Sequence, residues 1–248
     1  MSHPLENTWL KLNRADKHLH ELKRKMDGFA YREPYRMVRH ELPEDGYYVY
    51  DFRFLRMPPR RWGIILGDIA HNMRSALDHL AWSLAGLTTK SPARSTGFPI
   101  FPKPPHAGNQ KSFDKMIRQM PGPAQKEIKA LQPHHDGILA DKHPLAVLAF
   151  MSNRDKHQLL VPIATVVNAP VRNIPGGSIH RLNARHIRVQ VPISADPEVN
   201  FEPDFTFQIT FGVPAFYPNG VDLFRLQDIG KFIREDTLPR FAGFFPPP

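Results

Sequence analysis

The chain has 248 residues, no cysteine and a formal net charge of +9 at pH 7. At about 100–200 residues per domain, this length predicts one large domain or two small ones, with a core that needs no disulfide or metal. The absence of cysteine excludes a disulfide scaffold, a thiolate zinc site, an iron–sulfur cluster and a cysteine nucleophile. Proline is frequent, at 26 residues, so we expect short elements and rigid loops.

The positive charge is concentrated in the first half of the chain. Residues 1–124 contain 20 Lys and Arg against 12 Asp and Glu, whereas residues 125–248 contain 13 against 12. A basic half favours a polyanion as partner, nucleic acid first, with solubility as the alternative explanation. No apolar run reaches the roughly 18–20 residues of a membrane span, and the start of the chain lacks the pattern of a signal peptide. We therefore expect a cytoplasmic protein with no membrane partner.

The first 160 residues are predicted to be mainly helical. The predicted helices cover residues 7–27, 62–87, 111–120, 123–131 and 144–160. Two strands, 31–39 and 47–57, flank the turn sequence Pro43-Glu44-Asp45-Gly46, so a β-hairpin is predicted over 31–57. A proline-rich loop is predicted over 91–108.

Residues 161–248 are predicted to be rich in strands and to end in a helix. The predicted strands cover residues 161–167, 186–193, 205–211 and 221–226, and the closing helix covers 228–241. In the third strand, Phe205, Phe207, Ile209 and Phe211 alternate along one face, which is typical of a core. We predict an α+β fold in which 1–160 and 161–248 form either two domains or one integrated domain.

The helix predicted over 62–87 has an apolar half and a polar half. On a wheel at 100° per residue, the apolar arc holds Ile69, Ala70, Met73, Ala76, Leu77, Leu80, Ala81 and Leu84. The polar arc holds two His, two Asp, an Arg, an Asn, two Ser and Trp82, but neither Lys nor Glu, which normally fill a solvated helix face. This composition favours a functional site, because titratable groups cluster where chemistry occurs. A buried polar network that fixes helix packing is the alternative.

Within the polar arc, Arg74 and His79 are separated by four residues. An arginine followed closely by a histidine also occurs as Arg14…His20 and Arg181…His186. Only Arg74 and His79 lie on a predicted helix with a concentrated polar face. Arg74-Ser75-Ala76-Leu77-Asp78-His79 resembles the catalytic motif of the HEPN superfamily, helical domains found in many prokaryotic toxin and defence ribonucleases. Ser75 departs from the Asn, Asp or His that is commoner at its position in that family.

The resemblance implies metal-independent cleavage of RNA phosphodiester bonds, with no cofactor and with a homodimer, since HEPN sites usually form where two subunits meet. It implies that His79 activates the ribose 2′-hydroxyl or protonates the leaving 5′-oxygen, because histidine titrates near neutrality. It implies that Arg74 stabilises charge on the phosphorane through bidentate donation. The other residues of this face that are predicted to support the site are Asp68, His71, Asn72, Ser75 and Asp78.

Helix geometry adds a condition to this hypothesis. Residues five positions apart lie about 140° apart around a straight helix, so Arg74 and His79 lie at opposite flanks of the polar arc. Asp78 is four residues after Arg74 and competes for it as an ion-pair partner. We therefore expect the site to need an Arg from a second subunit.

The chain also resembles uncharacterised bacterial and phage proteins through two segments, GDIAHNMRSALDHL over 67–80 and NRDKH over 153–157. No activity is implied by this second resemblance. Asn153 and His157 are i,i+4 neighbours with Lys156 beside them, and they extend the site around His79 if the two helices are adjacent. The alternative explanation is that the cations of this segment stabilise the negative, C-terminal end of the helix dipole.

Two other interpretations remain open at this stage. A metal site is one of them, although no two His lie four residues apart as in the motif of zinc proteases. The candidate metal ligands are Asp68, His71, Asn72 and His79 on the helix, and His134, His135, Asp136, Asp141 and His143 in a proline-bounded loop. The other interpretation is a non-enzymatic binding or interaction protein of bacterial or phage origin, whose polar helix face is a packing or dimer surface.

Overall fold

The computed structural model describes residues 3–42, 46–105, 108–167, 177–183, 185–193, 206–213 and 217–246. The chain forms two compact units, and each of them is discontinuous in sequence. The helical unit comprises Met1–Leu22, Gly63–Leu160 and Leu223–Pro248, and the sheet unit comprises Lys23–Trp62 and Val161–Asp222. One boundary between them falls between Leu160 and Val161, and the division of the sequence into domains stays a prediction.

The helical unit contains most of the helical residues. Its helices are α1 (Glu6–Ala30, whose residues after Leu22 are part of the sheet unit), α2 (Trp62–Gly86), α3 (Gln110–Ile117), α4 (Gly122–Ala130), a 3₁₀ segment (Pro133–Lys142), α5 (Pro144–Asp155), α6 (Leu223–Lys231), a π-helical turn (Phe232–Thr237) and α7 (Pro239–Ala242). The sequence marks the start of α5 clearly. Pro144 is its first residue, and Nδ1 of His143 accepts a hydrogen bond of 3.1 Å from the backbone N–H of Leu145.

The predicted helices are confirmed in place, with shifts at their ends. α2 ends one residue before the predicted end, whereas α5 stops at Asp155 rather than near 160. The 3₁₀ segment was not predicted, and Gly137 inside it has a φ of 57°, a conformation that breaks regular periodicity.

The strand predicted over 221–226 is wrong beyond its first residue. β7 (Tyr217–Val221) ends there, and α6 begins at Leu223. Leu226, Ile229 and Ile233 are buried at the i, i+3, i+7 spacing of a helix face. A short apolar stretch is ambiguous between strand and helix, and the helical period becomes visible only over the longer window.

The sheet unit contains two antiparallel sheets. The other strands are β1 (Tyr35–Leu42), β2 (Tyr47–Phe54), β3 (Pro162–Val167), β4 (Ser178–Asn183), β5 (His186–Pro192) and β6 (Thr206–Val213). One sheet has the order β1-β2-β5-β4 and the other has the order β3-β6-β7. The predicted hairpin is confirmed as β1 and β2, and β4 was not predicted. Of the predicted turn, residues 43–45 lie outside the described residues, and Gly46 has a φ of 72°.

Alternation along the strands gives the four-stranded sheet one apolar face. Phe52 pairs with Ile187 and Tyr50 with Val189, and these side chains form a buried core together with Ala164 of β3. In β6, Ile209 and Phe211 are buried as predicted, while Phe205 and the side chain of Phe207 lie outside the described residues. The opposite face of the four-stranded sheet therefore holds the intervening polar residues.

The predicted α+β fold is confirmed: a helical N-terminal region, antiparallel sheets and a closing C-terminal helix. Within the part of the chain that the structure describes, no helix combines the length and apolarity that crossing a membrane requires.

Candidate functional site

The apolar half of α2 is the centre of the helical unit. All eight side chains of the predicted apolar arc are at most 1% exposed, which confirms the helical-wheel prediction. A helix with one face so completely buried is rigidly placed, so the positions of its polar residues are well defined. Trp82, on the polar side, is 46% exposed.

Arg74 and Asp78 bind the proline-rich loop that follows α2. Nη2 of Arg74 donates to Asp78 Oδ1 at 3.0 Å and also to the backbone carbonyl of Phe98. The backbone N–H of Phe98 donates to the same Asp78 Oδ1 at 3.0 Å. One Arg–Asp pair thus satisfies both backbone polar groups of Phe98, as a neighbouring strand would do in a sheet.

A buried glutamine performs the same task for the next residues of the loop. Gln132 is 1% exposed. Its Nε2 donates to the carbonyls of Pro99 and Ile128 at 3.0 and 2.9 Å, and its Oε1 accepts from the N–H of Phe101 at 3.0 Å. The loop lies on the helical unit without forming a strand, because side chains satisfy its backbone groups.

Beside this loop lies a small polar pocket of about 180 Å³. Its described lining residues are Arg74, Ile100, Phe101, Met116, Ala149, Ser152, Asn153 and Lys156, and none of these is acidic. The structure thus brings together three of the predicted site residues, Arg74 from α2 and Asn153 and Lys156 at the end of α5. Both bonds of Arg74 come from Nη2, so its Nε and Nη1 have no partner among the described residues.

His79 is not among the residues that line this pocket. It is half-buried, like Ser75, and neither side chain makes a hydrogen bond or ion pair within the described part of the chain. The angular separation of Arg74 and His79 on the wheel is therefore retained in the folded helix. His157 is exposed beyond the end of α5 and is likewise not part of the pocket lining.

The remaining predicted residues lie toward the start of α2, where α5 packs closely. A Cβ atom on Gly67 would overlap the carboxylate of Asp155, so a larger residue at this position would require the Asp155 side chain to move. Burial raises the pKa of Asp155, the charge of Asp68 raises it further, and His71 opposes the rise. Asn72 donates to the Asp68 carbonyl at 2.7 Å. Asn72 thus bonds the backbone of its own helix, while Asp68 and His71 lie close enough to Asp155 to affect its charge.

The candidate metal ligands of the alternative interpretation have other neighbours. Among the described residues, no three His, Asp or Glu side chains converge as metal ligands would. In the loop cluster, Nδ1 of His134 is 3.2 Å from the Phe101 carbonyl and Nε2 of His135 is 3.0 Å from the Lys129 carbonyl. His143 caps α5, and burial lowers its pKa, which favours the neutral imidazole that accepts the capping bond.

The sheet unit contains a polar cluster that sequence reasoning missed. Asp51, whose side chain is 6% exposed, accepts from Nε and Nη2 of Arg188 at 2.9 and 3.0 Å. It is also 3.0 Å from Nε2 of His186 and 3.4 Å from Nε2 of His40. The hydrogen bond from Arg188 lowers the pKa of Asp51 to about 2, and His186 contributes to the decrease.

These four residues come from three strands, with Asp51 directly opposite Arg188 in the register. The sequence signal for the cluster is the alternation His186-Ile187-Arg188-Val189, which places a histidine and an arginine on one face of a predicted strand. Asp51, between Tyr50 and Phe52, follows the same alternation. The pattern identifies a polar face, but pairing of the three strands is needed to bring the charges together.

Comparison of the chain with protein-family models, with characterised proteins and with solved structures finds no match. The HEPN resemblance and the resemblance to bacterial and phage proteins therefore stay predictions.

Proposed function

We propose that this protein acts on RNA and holds a phosphodiester group at the pocket lined by Arg74, Asn153 and Lys156. The observation that supports the proposal most directly is the lining itself, which combines two cations and an amide and includes no acidic side chain. An arginine with two free donor positions is suited to the oxygens of a phosphate, and lysine adds a point charge. The basic first half of the chain supplies further phosphate contacts.

The size of the pocket favours one phosphate group over a whole nucleotide. Its volume of about 180 Å³ is roughly six times the about 30 Å³ that a water molecule occupies in the liquid. Pockets for complete small molecules are larger, at about 300–1,000 Å³. The sugar and base of a bound RNA would therefore lie outside the pocket, and recognition would be independent of base sequence.

The proposal extends to cleavage without a metal, with His79 as the proton-transferring group. The 2′-oxygen would attack phosphorus, the bond to the 5′-oxygen would break, and protons would pass from the 2′-hydroxyl and to the 5′-oxygen through the imidazole. Because His79 is absent from the lining of the Arg74 pocket, the proposal places Arg74 of one copy with His79 of a second copy. A homodimer is thus part of the mechanism, and the reaction is proposed for the cytoplasm.

The test of cleavage is incubation of the purified protein with labelled mixed RNA in EDTA. We expect cleavage by the wild type and none by His79→Ala or Arg74→Lys. Arg14→Ala and His20→Ala change the same residue types on the exposed side of α1 and are expected to leave cleavage intact. A mixture of the two inactive variants should regain about a quarter of the activity, because half of the dimers carry one intact shared site.

RNA binding is tested separately through its dependence on salt. Lys156→Gln removes a cation of the pocket, and Arg154→Gln removes a neighbouring cation that does not line it. The slope of log affinity against log salt concentration should fall by about 0.7 for Lys156→Gln, as for one lost contact with a single strand, and should not change for Arg154→Gln. Equal slopes for both variants and wild type would contradict a phosphate site at the pocket.

A second candidate function is a non-enzymatic interaction protein. The observation that favours it is the use of Arg74 and Asp78 to hold the backbone of Phe98, which explains the unusual polar face of α2 by packing alone. Under this alternative the exposed Trp82 belongs to a contact with a partner. Absence of RNA binding by the wild type at low ionic strength, together with cleavage by none of the proteins, would favour this candidate over the first.

A further inference from the structure

The sheet unit contains a second basic pocket, built where the end of α1 meets the start of α2. Its volume is about 290 Å³. The lining residues are Arg24, Lys25, Gly28, Phe29, Arg32, Pro59, Arg61 and Trp62. Four of these eight are Lys or Arg, and none is acidic. The pocket is therefore lined by positive charge on several sides.

Ion pairing does not account for the three arginines of the lining, and the helix dipole accounts for neither Arg24 nor Arg61. Arg24, Arg32 and Arg61 form no ion pair within the described residues, whereas Lys23, which does not line the pocket, pairs with Asp27 at 2.6 Å. The dipole of a helix favours cations within its last turn, and the last turn of α1 contains no basic residue. Arg61 precedes the first residue of α2, where the dipole opposes a cation.

The lining places an anion in the pocket within range of several positive charges. A sphere of 290 Å³ is about 8 Å across, close to the screening length of about 8 Å at physiological salt, so an anion inside it would be attracted to the cations on each side. The guanidinium group of arginine carries a permanent charge, which suits it to a ligand with several negative charges.

Aromatic packing fixes one wall of the pocket, and a glycine leaves room beside it for a ligand. The Phe29 and Trp62 rings pack edge to face, with centroids 5.6 Å apart and an interplanar angle of 80°. Trp62 is only 3% exposed, so it anchors one side of the pocket. A Cβ atom placed on Gly28 would meet nothing within 4 Å, so the absent side chain at this position leaves open space.

We propose that this pocket binds a chain of two or three linked phosphate groups. Three arginines that form no ion pair within the described residues match the several negative charges of such a chain, and each guanidinium can donate two parallel hydrogen bonds to phosphate oxygens. The volume equals that of roughly ten water molecules at about 30 Å³ each, which exceeds the need of one phosphate. The same chemistry occurs in free polyphosphate, in a nucleoside triphosphate and along a nucleic-acid backbone.

The proposal is tested by calorimetric titration of the full chain with tripolyphosphate at physiological salt. We expect tripolyphosphate to bind at least tenfold more tightly than orthophosphate. Arg61→Gln should weaken binding of tripolyphosphate at least tenfold, whereas Arg60→Gln, the same loss of charge one residue away and outside the lining, should change it less than twofold. Similar weakening by both variants would show that binding depends on the overall positive charge of the region, and it would overturn the proposed pocket as the binding site.

A second variant separates loss of the pocket from loss of the fold. Gly28→Leu places a side chain in the open space of a helical position, where leucine favours the helix more than glycine does. We expect a melting temperature at or above that of the wild type and at least tenfold weaker tripolyphosphate binding. Unchanged binding by this variant would overturn the proposal. Should Gly28→Leu fail to fold, Arg24→Gln takes its place with the same expected loss.

Competition identifies the source of the phosphates. Displacement of tripolyphosphate by a short RNA with a 5′-hydroxyl indicates the backbone of a nucleic acid, and displacement only by a nucleoside triphosphate indicates a free nucleotide. The inference does not rest on the function proposed above, because the two pockets share no lining residue. Absence of binding at millimolar tripolyphosphate would overturn the inference.

Discussion

The polar face of α2 and the polar face of the four-stranded sheet use the same residue types in different ways. On α2, Arg74 and Asp78 hydrogen-bond the backbone of Phe98. On the sheet, Asp51 is the shared acceptor for side chains of Arg188 and His186. In the first case polar residues fix the path of a loop, and in the second they pair with one another around a buried carboxylate.

The comparison teaches that composition alone does not identify a site. A helix face rich in Arg, Asp and His is also what a proline-rich segment needs when no strand lies beside it, because each buried backbone group requires a partner. The identity of the partner distinguishes the two cases. Removing a side chain that hydrogen-bonds backbone groups should lower the stability of the unit at every pH. Removing a side chain that pairs with other charged side chains should change the pH dependence of stability.

The largest effect is expected where a side chain holds the loop. Gln132→Ala removes three hydrogen bonds of a buried side chain and leaves the carbonyl of Pro99 and the N–H of Phe101 without their partner. We expect the free energy of unfolding to fall by about 3 kcal/mol, measured by urea denaturation at pH 7. Gln125→Ala, which removes a single bond to the Met120 carbonyl, should cost less than about 1 kcal/mol. Equal costs would contradict the role assigned to Gln132.

A smaller, pH-dependent effect is expected on the sheet. The pKa of Asp51 falls from 3.8 to about 2 in the folded protein, so the unfolded state binds more protons between these values. Stability should therefore decrease as the pH falls from about 5 to about 2, by roughly 2 kcal/mol at about 1.4 kcal/mol for each pH unit of the pKa difference. Urea denaturation across this range should show that Asp51→Asn loses this component, while Asp236→Asn, at an exposed carboxylate, retains it. A wild-type pH profile in Asp51→Asn would rule the cluster out as its source.

The smallest effect is expected at Asp155, a half-buried carboxylate beside α2 whose pKa shifts in the opposite direction. Burial and the charge of Asp68 raise the pKa of Asp155, so its charged form destabilises the fold at neutral pH. We expect Asp155→Asn to raise the free energy of unfolding by up to about 1 kcal/mol at pH 7, with a gain that shrinks as the pH falls and the wild-type carboxyl takes up its proton. A loss of stability at pH 7 would indicate that the carboxylate makes a favourable contact in solution.

Elements with a long and regular pattern could be predicted from the sequence. The eight buried side chains of α2 follow from helical periodicity, and the β1–β2 hairpin follows from alternation on both sides of a turn. The C-terminal end of β7 and the start of α6 could not be placed, because a few apolar residues fit both periods. The strand β4 was missed because four of its six residues are exposed, and it therefore has no apolar alternation.

For the candidate site, too, some features could be predicted from the sequence and others could not. Its residue types and their side of the helix were determined by the sequence, since the angular position of Arg74, Asp78 and His79 depends only on the helical repeat. Their partners were decided by the tertiary structure. Phe98 lies 24 residues after Arg74, and no local rule specifies which loop residue a helix side chain reaches.

The sheet unit shows the same limit more clearly. Asp51 and Arg188 are 137 positions apart in the chain, and they meet because β2 and β5 pair in one register. A shift of that register by one residue would move Arg188 to the apolar face. The alternation of polar and apolar residues along each strand can be read from the sequence. Only the folded sheet decided that these charges share one carboxylate, because side chains from distant strands become neighbours through backbone pairing.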